Sequence, residues 1–500
     1  IIRCYRHLAL PTAEVPQSLK NQLSAVHNGS FSPAACAKDT QFATAYKSEF
    51  LQDFSPESPS FPTTLAELIQ RLKHWKIVLL NQLESRYPPA LKLEEQCRTW
   101  LHIRFAAFEL PGLHYLFQEM PPDYAVNVQK IVADIPIVRR NGWSYRRVTL
   151  VCSDGSHRHF IVQTALTSHA PSHERVLQLL RAMNSMLAKH KESRRRSIRN
   201  HAPVIIPLSS QVRLVEDDPT FISFEDIYEH HCARNDKDAD YPLALFKQQL
   251  HAAISGGAPQ ESLSDHRLRA YRETARTCAD DAILSLYMSR IFPSGYHIWT
   301  FKKQFSVQYA LSCFVGFVLQ IGARYPSKTM FAKNSGTVFQ ADFYISYDSE
   351  GDIVFADTVP FRLTRNLQSL VTGFGIDGII VPATCAAAQA VISPKQTENL
   401  RSHLGMFFRD EMLTWQWRKA FWICEDGDGH KMKDLSPHQL KAKLTPHVDS
   451  VISRITRIAP PEEENDADAQ SVHGGVTQLV EAATSDRNLC LMDHTWHPWF

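Results

Sequence analysis

The sequence predicts an α+β chain of two lobes, and three changes of pattern carry that reading. Apolar residues recur at helical spacing after Pro62. Between Pro136 and Thr164 they give way to short β-type runs about an Asp-Gly pair, and from about residue 226 helical spacing returns. The 500 residues are 44% hydrophobic, enough for about two to four packed units at roughly 100–200 residues each.

The elements follow in order. Residues 1–62 mix helix-like pieces with Ser/Pro punctuation and end in the loop signal Ser55-Pro56-Glu57-Ser58-Pro59. Thr64 and Glu67 have capping-box spacing, and Leu65, Leu68, Ile69, Leu72, Trp75, Leu79 and Leu83 recur at helical intervals. Pro88-Pro89 stops that helix, and a second is expected from Leu93 to about Phe108. Arg147-Val148-Thr149-Leu150-Val151 and His159-Phe160-Ile161-Val162 flank Ser153-Asp154-Gly155-Ser156, a hairpin signal. Glu174 to Leu187 reads as a helix and Val204-Ile205-Ile206-Pro207-Leu208 as a strand, so a small mixed lobe spans about 110–225. Residues 226–330 read as mostly helical. The apolar stretch Tyr309–Leu319 is too short to span a bilayer and follows Lys302, Lys303 and Gln304, which makes it a buried helix. Thr337-Val338-Phe339 and Ile353-Val354-Phe355 read as strands around Ala341-Asp342-Phe343. Residues 396–458 are helical again, Pro460 to Asp466 is an acidic linker with little to bury, and a helix from Val472 leads to Trp496-His497-Pro498-Trp499-Phe500.

Composition excludes some classes of function. A formal charge of +2 from 54 basic and 52 acidic side chains gives no global field for a nucleic acid or a membrane. The ten cysteines form no CxxC pair and read as reduced thiols of an intracellular protein. The chain opens Ile1-Ile2-Arg3-Cys4 without the pattern of a signal peptide, and reads as a fragment of something longer. His230-His231-Cys232 and His157/His159 have no second ligand cluster at suitable spacing, so they read as packed or solvated histidines. The dense basic run Lys189 to Arg199 lacks interleaved aromatics. It reads as a solvated helix end, with polyanion contact or nuclear targeting as the sharper alternative.

In this order the landmarks resemble the kinase region of the phosphatidylinositol-3-kinase-related kinases. Val148 to Gly155 is similar to the N-lobe hairpin, Glu174 to Leu180 to the αC-type helix, and Val359-Pro360-Phe361-Arg362-Leu363-Thr364 to the segment closing the activation loop. Val476, Leu479, Ala483-Thr484, Asn488-Leu489 and the terminal tryptophans resemble a FATC module. Three further strings look most similar to the TRRAP family: Arg213 to Pro219, Trp299 to Lys303, and Asn488 to Asp493 with Trp496-His497-Pro498-Trp499. The resemblance implies a two-lobed protein-kinase-like α+β fold of the PI3/PI4-kinase type. Its expected divisions are the end of a FAT region and linker at 1–62, an FRB-like helical insertion at 63–109, an N-lobe at 110–225, a C-lobe at 226–459, an acidic linker at 460–470 and FATC at 471–500.

The resemblance also assigns site positions. Active relatives read Gly-Asp-Arg-His-Pro-Ser-Asn where Gly322-Ala323-Arg324-Tyr325-Pro326-Ser327-Lys328 stands. Ala323 then replaces the catalytic aspartate, Tyr325 the histidine and Lys328 a metal-binding asparagine. Gln163 stands for the N-lobe lysine. Asp342 is retained from an Asp-Phe-Gly motif whose glycine is Tyr344. Phosphoryl transfer needs a cation for the phosphates, a base and metal ligands. Loss of the base alone costs about 100- to 10,000-fold, or about 3–5 kcal/mol of barrier. The expectation is a pseudokinase with no catalytic, cofactor-binding or metal-binding residue. The family implies a nuclear scaffold subunit of histone acetyltransferase coactivator complexes such as SAGA, partnered by their other subunits and by transcriptional activators, without membrane or sequence-specific nucleic-acid contact. The alternative is an active or weakly active serine/threonine kinase of the same superfamily.

Overall fold

The computed structural model describes the chain from Glu14, leaving out scattered positions up to 39 and residues 56–57, 87–88, 98, 100–107, 111, 113–125, 141–142, 166–171, 256–259, 279, 323, 342, 344, 349, 356, 372–374, 393, 425–436, 459–471 and 494–495. It divides into two compact units, residues 1–89 with 493–495 and residues 90–492 with 496–500.

In the first unit, helix Leu65–Arg86 buries Leu65, Leu68, Ile69 and Trp75. Thr64 Oγ1 accepts the Glu67 amide and caps the helix start. Trp75 donates its indole N–H to Asp53 at 2.8 Å, and Arg71 pairs with the same carboxylate at 3.1 Å. Burial of the predicted apolar stripe ends before Leu79, which is exposed, as are Ile77 and Leu80 outside the stripe.

The second unit opens with a sheet. β1 (Ala90–Lys92) pairs with β3 (Asp134–Arg140), β3 with β4 (Trp143–Cys152), β4 with β5 (His157–Thr164), β5 with β7 (Val212–Asp217) and β7 with β6 (Ile205–Pro207), all antiparallel. β2 (Val128–Ile131) takes the part of the β4 edge that β3 leaves free. Gly155 turns the β4–β5 hairpin at φ +76, and Asp154 accepts both the amide and the hydroxyl of Ser156. The second helix expected from Leu93 is corrected here. After Pro88-Pro89 the chain enters β1, whose hydrogen bonds to β3 set its direction. Only Leu93–Gln96 then turns helically before Cys97 leaves the helix at φ −154, while residues 100–107 lie outside the described residues.

Helix Ser172–Lys189 packs beside this sheet and pairs its Arg175 with the buried Asp410 of helix Pro394–Cys424 at 2.7 Å. The C-lobe is built on Phe224–Arg234, Tyr241–Ser255, Gln260–Cys278, Ile283–Ile291, Gly295–Val318, Gly375–Val391, Pro394–Cys424 and Pro437–Ile458. Gly295–Val318 runs through its centre, with Phe305 through Leu311 all buried. A small sheet of β8 (Phe221–Ser223), β9 (Thr329–Ala332) and β10 (Val338–Gln340) lies where the lobes meet. The strand expected at Ile353-Val354-Phe355 is instead a single bridge of Ile353 to Tyr347, and Val354 points into solvent. Helix Val472–Thr484 closes on Pro437–Ile458 so tightly that a Cβ on Gly475 would stand 2.9 Å from the Ile458 carbonyl oxygen. Among the described residues no single helix is long and apolar enough to cross a membrane.

Candidate functional site

The cleft between the N-lobe sheet and the β9–β10 ribbon is a cavity of about 230 Å³ lined by Gln163, His173, His201, Arg213, Gln340, Ala341 and Phe343 among others. Gln163 stands on β5 directly opposite Arg213 of β7, a register that places both side chains on one face of the sheet. Arg213 Nε donates to Gln163 Oε1 at 2.9 Å, and Arg213 Nη2 meets His173 Nδ1 at 2.9 Å. Neither of these two contacts is with a carboxylate, and Arg213 is only 5% exposed. Burial lowers its pKa, while Glu174 and Tyr145 oppose that shift. The Gln163 amide thus already serves as the acceptor of a neighbouring arginine.

The described acids that line the cavity are committed as well. Asp217 pairs with Arg147 at 2.7 Å, Glu216 accepts the Val204 amide at 3.0 Å, and Asp218 accepts the Thr220 amide at 2.8 Å. His201 fills part of the space with an imidazole that burial pushes down to about 4. It packs against the rings of Phe221 at 5.2 Å and Phe339 at 5.5 Å, so an apolar, neutral cluster lies between the lobes.

The catalytic-loop segment sits below. Tyr325 to Lys328 forms a turn in which the Tyr325 carbonyl accepts the Lys328 amide at 2.9 Å, and the Lys328 carbonyl accepts the Ala341 amide at 2.8 Å. The structure therefore brings the Lys328 backbone beside that of Ala341. Ala323, Asp342 and Tyr344 themselves lie outside the described residues. Arg324, from the same loop, is buried. It pairs with Asp357 and donates to the carbonyls of Val359 and Pro360, so its charge holds residues 357–360 in place.

That segment in turn receives the end of the chain. Tyr309 donates to the Arg362 carbonyl at 2.6 Å, and the Arg362 guanidinium donates to the carbonyls of Trp496, His497 and Phe500. Trp496, Trp499 and Phe500 are all buried, Phe500 with its ring centre 4.7 Å from that of Tyr228. Residues 460–470 of the acidic linker lie outside the described residues.

Sequence reasoning missed Arg213, His201, Arg324 and Arg362. Arg213 stood in a quoted string, but only the β5–β7 register shows it meeting Gln163. The basic run is partly a helix, Lys191–Arg195, docked by the buried Ser193 hydroxyl on the Ala386 carbonyl at 2.9 Å, with Glu192 answering Arg195 and Arg196. His159 meets Thr149 Oγ1 at 2.9 Å through Nδ1. His231 and Cys232 lie on helix Phe224–Arg234, and among the described residues no group of three His, Cys, Asp or Glu could hold a metal.

Residues 162–417 match the family model for phosphatidylinositol 3- and 4-kinase, and residues 469–500 that for the FATC domain. The chain is 27% identical over 482 residues to the SAGA complex/NuA4 acetyltransferase complex subunit TRA1 of Saccharomyces cerevisiae, covering 92% of this chain and 12% of that protein. It is 29% identical over 479 residues to the transformation/transcription domain-associated protein of Homo sapiens, covering 93% and 12%. The chain thus spans about an eighth of the length of these curated relatives. It is also 24% identical to the serine/threonine-protein kinase TEL1 of Candida glabrata, covering 76% of this chain and 13% of that kinase. Among solved structures, the FAT and kinase domain of CtTel1 superposes with a TM-score of 0.54 at 15% identity, covering 100% of this chain and 34% of that one, a likeness of fold.

Proposed function

The chain belongs to the phosphatidylinositol 3- and 4-kinase family, and from that premise we propose that it is the catalytically inactive kinase-like region of a large nuclear scaffold subunit in histone acetyltransferase coactivator complexes of the SAGA type. A relative named as a SAGA complex/NuA4 acetyltransferase complex subunit supports other subunits of such complexes as its partners, and transcriptional activators would recruit the assembly. Inactivity rests on one observation above the rest: the Gln163 amide, where a lysine would meet the phosphates, accepts a hydrogen bond from Arg213 and brings no charge of its own. Replacement of the base by Ala323, and a cation at Lys328 that repels magnesium, support the same reading.

Incubation with magnesium and labelled ATP, beside an Asp342→Ala variant, tests it. Equal background signal from both is expected. Turnover that disappears in the variant would establish the rival reading, an active or weakly active serine/threonine kinase. Association is tested separately by co-purification of the tagged full-length protein with acetyltransferase activity.

A further inference from the structure

The cavity between the N-lobe sheet and the β9–β10 ribbon contains a charge that the fold leaves unanswered. Side chains alternate along a strand, so Arg213, Val215 and Asp217 share one face of β7. The β5–β7 register sets Gln163, Ile161 and His159 opposite them in that order. Two residues of strand span roughly 7 Å, so the Arg213 and Asp217 positions stand roughly 14 Å apart, with the apolar step of Ile161 and Val215 between them. The ribbon and the residues after it add Met330, Phe339 and Phe343 to the same cavity.

At the acid end every described charge has a partner. Asp217 is held by Arg147, and Glu216 and Asp218 accept backbone amides. The basic end differs. Arg213 Nε and Nη2 meet the Gln163 amide and the His173 ring, while Nη1 is shut off from solvent with no hydrogen-bond partner. Glu174, next to His173 in the chain, is near enough to oppose the fall of the Arg213 pKa, but among the described residues it makes no ion pair with Arg213. A buried cation without a counter-ion is costly, and an acceptor of opposite charge relieves it.

We propose that this cavity binds a small planar aromatic monocarboxylate, its carboxylate on the Arg213 guanidinium and its ring in the apolar step among Ile161, Val215, Met330 and Phe339. Ligand pockets join apolar walls to a few placed polar groups in this way, and a guanidinium pairs with a carboxylate more strongly than with a neutral acceptor. The Phe339 and Phe343 rings favour a flat aromatic body. Glu216, Asp217 and Asp218 line the same cavity and would repel a polyphosphate, whereas one carboxylate matches one guanidinium. A volume of about 230 Å³ suits a small molecule. The proposal goes beyond the inactive-kinase reading and does not rest on it, since uptake of a carboxylate and turnover of ATP are separate measurements.

Titration calorimetry and thermal melting of the whole chain test it with 2-naphthoate. The comparators are 2-naphthamide, which has the ring without the charge, acetate, which has the charge without the ring, and ATP with magnesium. Naphthoate should raise the melting temperature, bind about tenfold or more tightly than naphthamide or acetate, and stay bound when ATP is added. Its affinity should fall about tenfold or more in Arg213→Met and in Gln163→Glu, whose carboxylate would answer Arg213 from within. Gln163→Glu keeps the shape of the site and decides the matter if Arg213→Met does not fold. Leu413→Ala, exposed elsewhere, should leave binding unchanged. The proposal is overturned if naphthoate does not bind, if naphthamide or acetate binds as tightly, if Gln163→Glu binds naphthoate as the parent does, if Leu413→Ala weakens it equally, or if ATP displaces it.

Discussion

The guanidinium of Arg362 lies 4.4 Å from the centre of the Trp496 ring and donates to that residue's own carbonyl. No carboxylate side chain answers it among the described residues. Three carbonyl dipoles and a ring face hold a charge that burial lowers to about 10, still protonated at neutral pH. The segment around Arg362 and the aromatics Trp496, Trp499 and Phe500 are thereby one packed object.

Replacing Arg362 with Met should cost about 3 kcal/mol of unfolding free energy or more. Buried carbonyls left without donors cost about 1–3 kcal/mol each, and the substitution strips the Trp496, His497 and Phe500 carbonyls of a donor. Urea denaturation reads the loss, and limited proteolysis should begin at the freed tail. An unchanged midpoint would mean that the rings alone hold it.

Acid should weaken the cleft through His201. Its imidazole is pushed from 6.5 to about 4 by burial, so between those values the unfolded chain binds a proton that the folded chain refuses. The stability it contributes is whole above about pH 6.5 and is lost as pH falls toward 4, by about 3 kcal/mol. The unfolding free energy of His201→Phe, measured beside the parent from about pH 7 to pH 4, should lack that slope. Parallel curves would show that His201 titrates as an ordinary histidine.

A lysine at position 163 should destabilise the cleft. The new ammonium would stand beside the buried Arg213 that Gln163 now bonds, and two unscreened cations there should cost about 2 kcal/mol. Gln163→Glu should melt above Gln163→Lys in a thermal scan. The reverse order would show that Arg213 is already neutralised.

Gly475→Ala should be costly although alanine favours helices. Its methyl would stand 2.9 Å from the Ile458 carbonyl oxygen, and backbone cannot yield as a side chain can. The loss should be about 1–3 kcal/mol by denaturation. A neutral result would mean that helix Val472–Thr484 can slide on its neighbour.

Much of the fold was legible because its signals are local. The Asp154-Gly155 turn, the helix from Ser172 and the all-round apolar helix through Tyr309 each declare themselves within a dozen residues or so. What stayed hidden depends on partners far along the chain. Cys97 leaves its helix after β1 has joined β3, and Gln163 is spoken for only because β7 lies beside β5. The string Gly322 to Lys328 could be matched to a family motif from the sequence, whereas the structural use of Arg324 follows from Asp357, which no motif connects to it.

The tail docked on Arg362 also bears on how the lobe is made. Trp499 and Phe500 belong to the same core as Tyr228 and Phe246, so the central helices wait through synthesis with an open groove before these rings arrive. Contacts that distant in sequence close slowly, and the nascent lobe meanwhile exposes apolar surface. Chaperone dependence during translation, until residues 496–500 have been added, is the natural cost of completing a core with rings so distant in sequence.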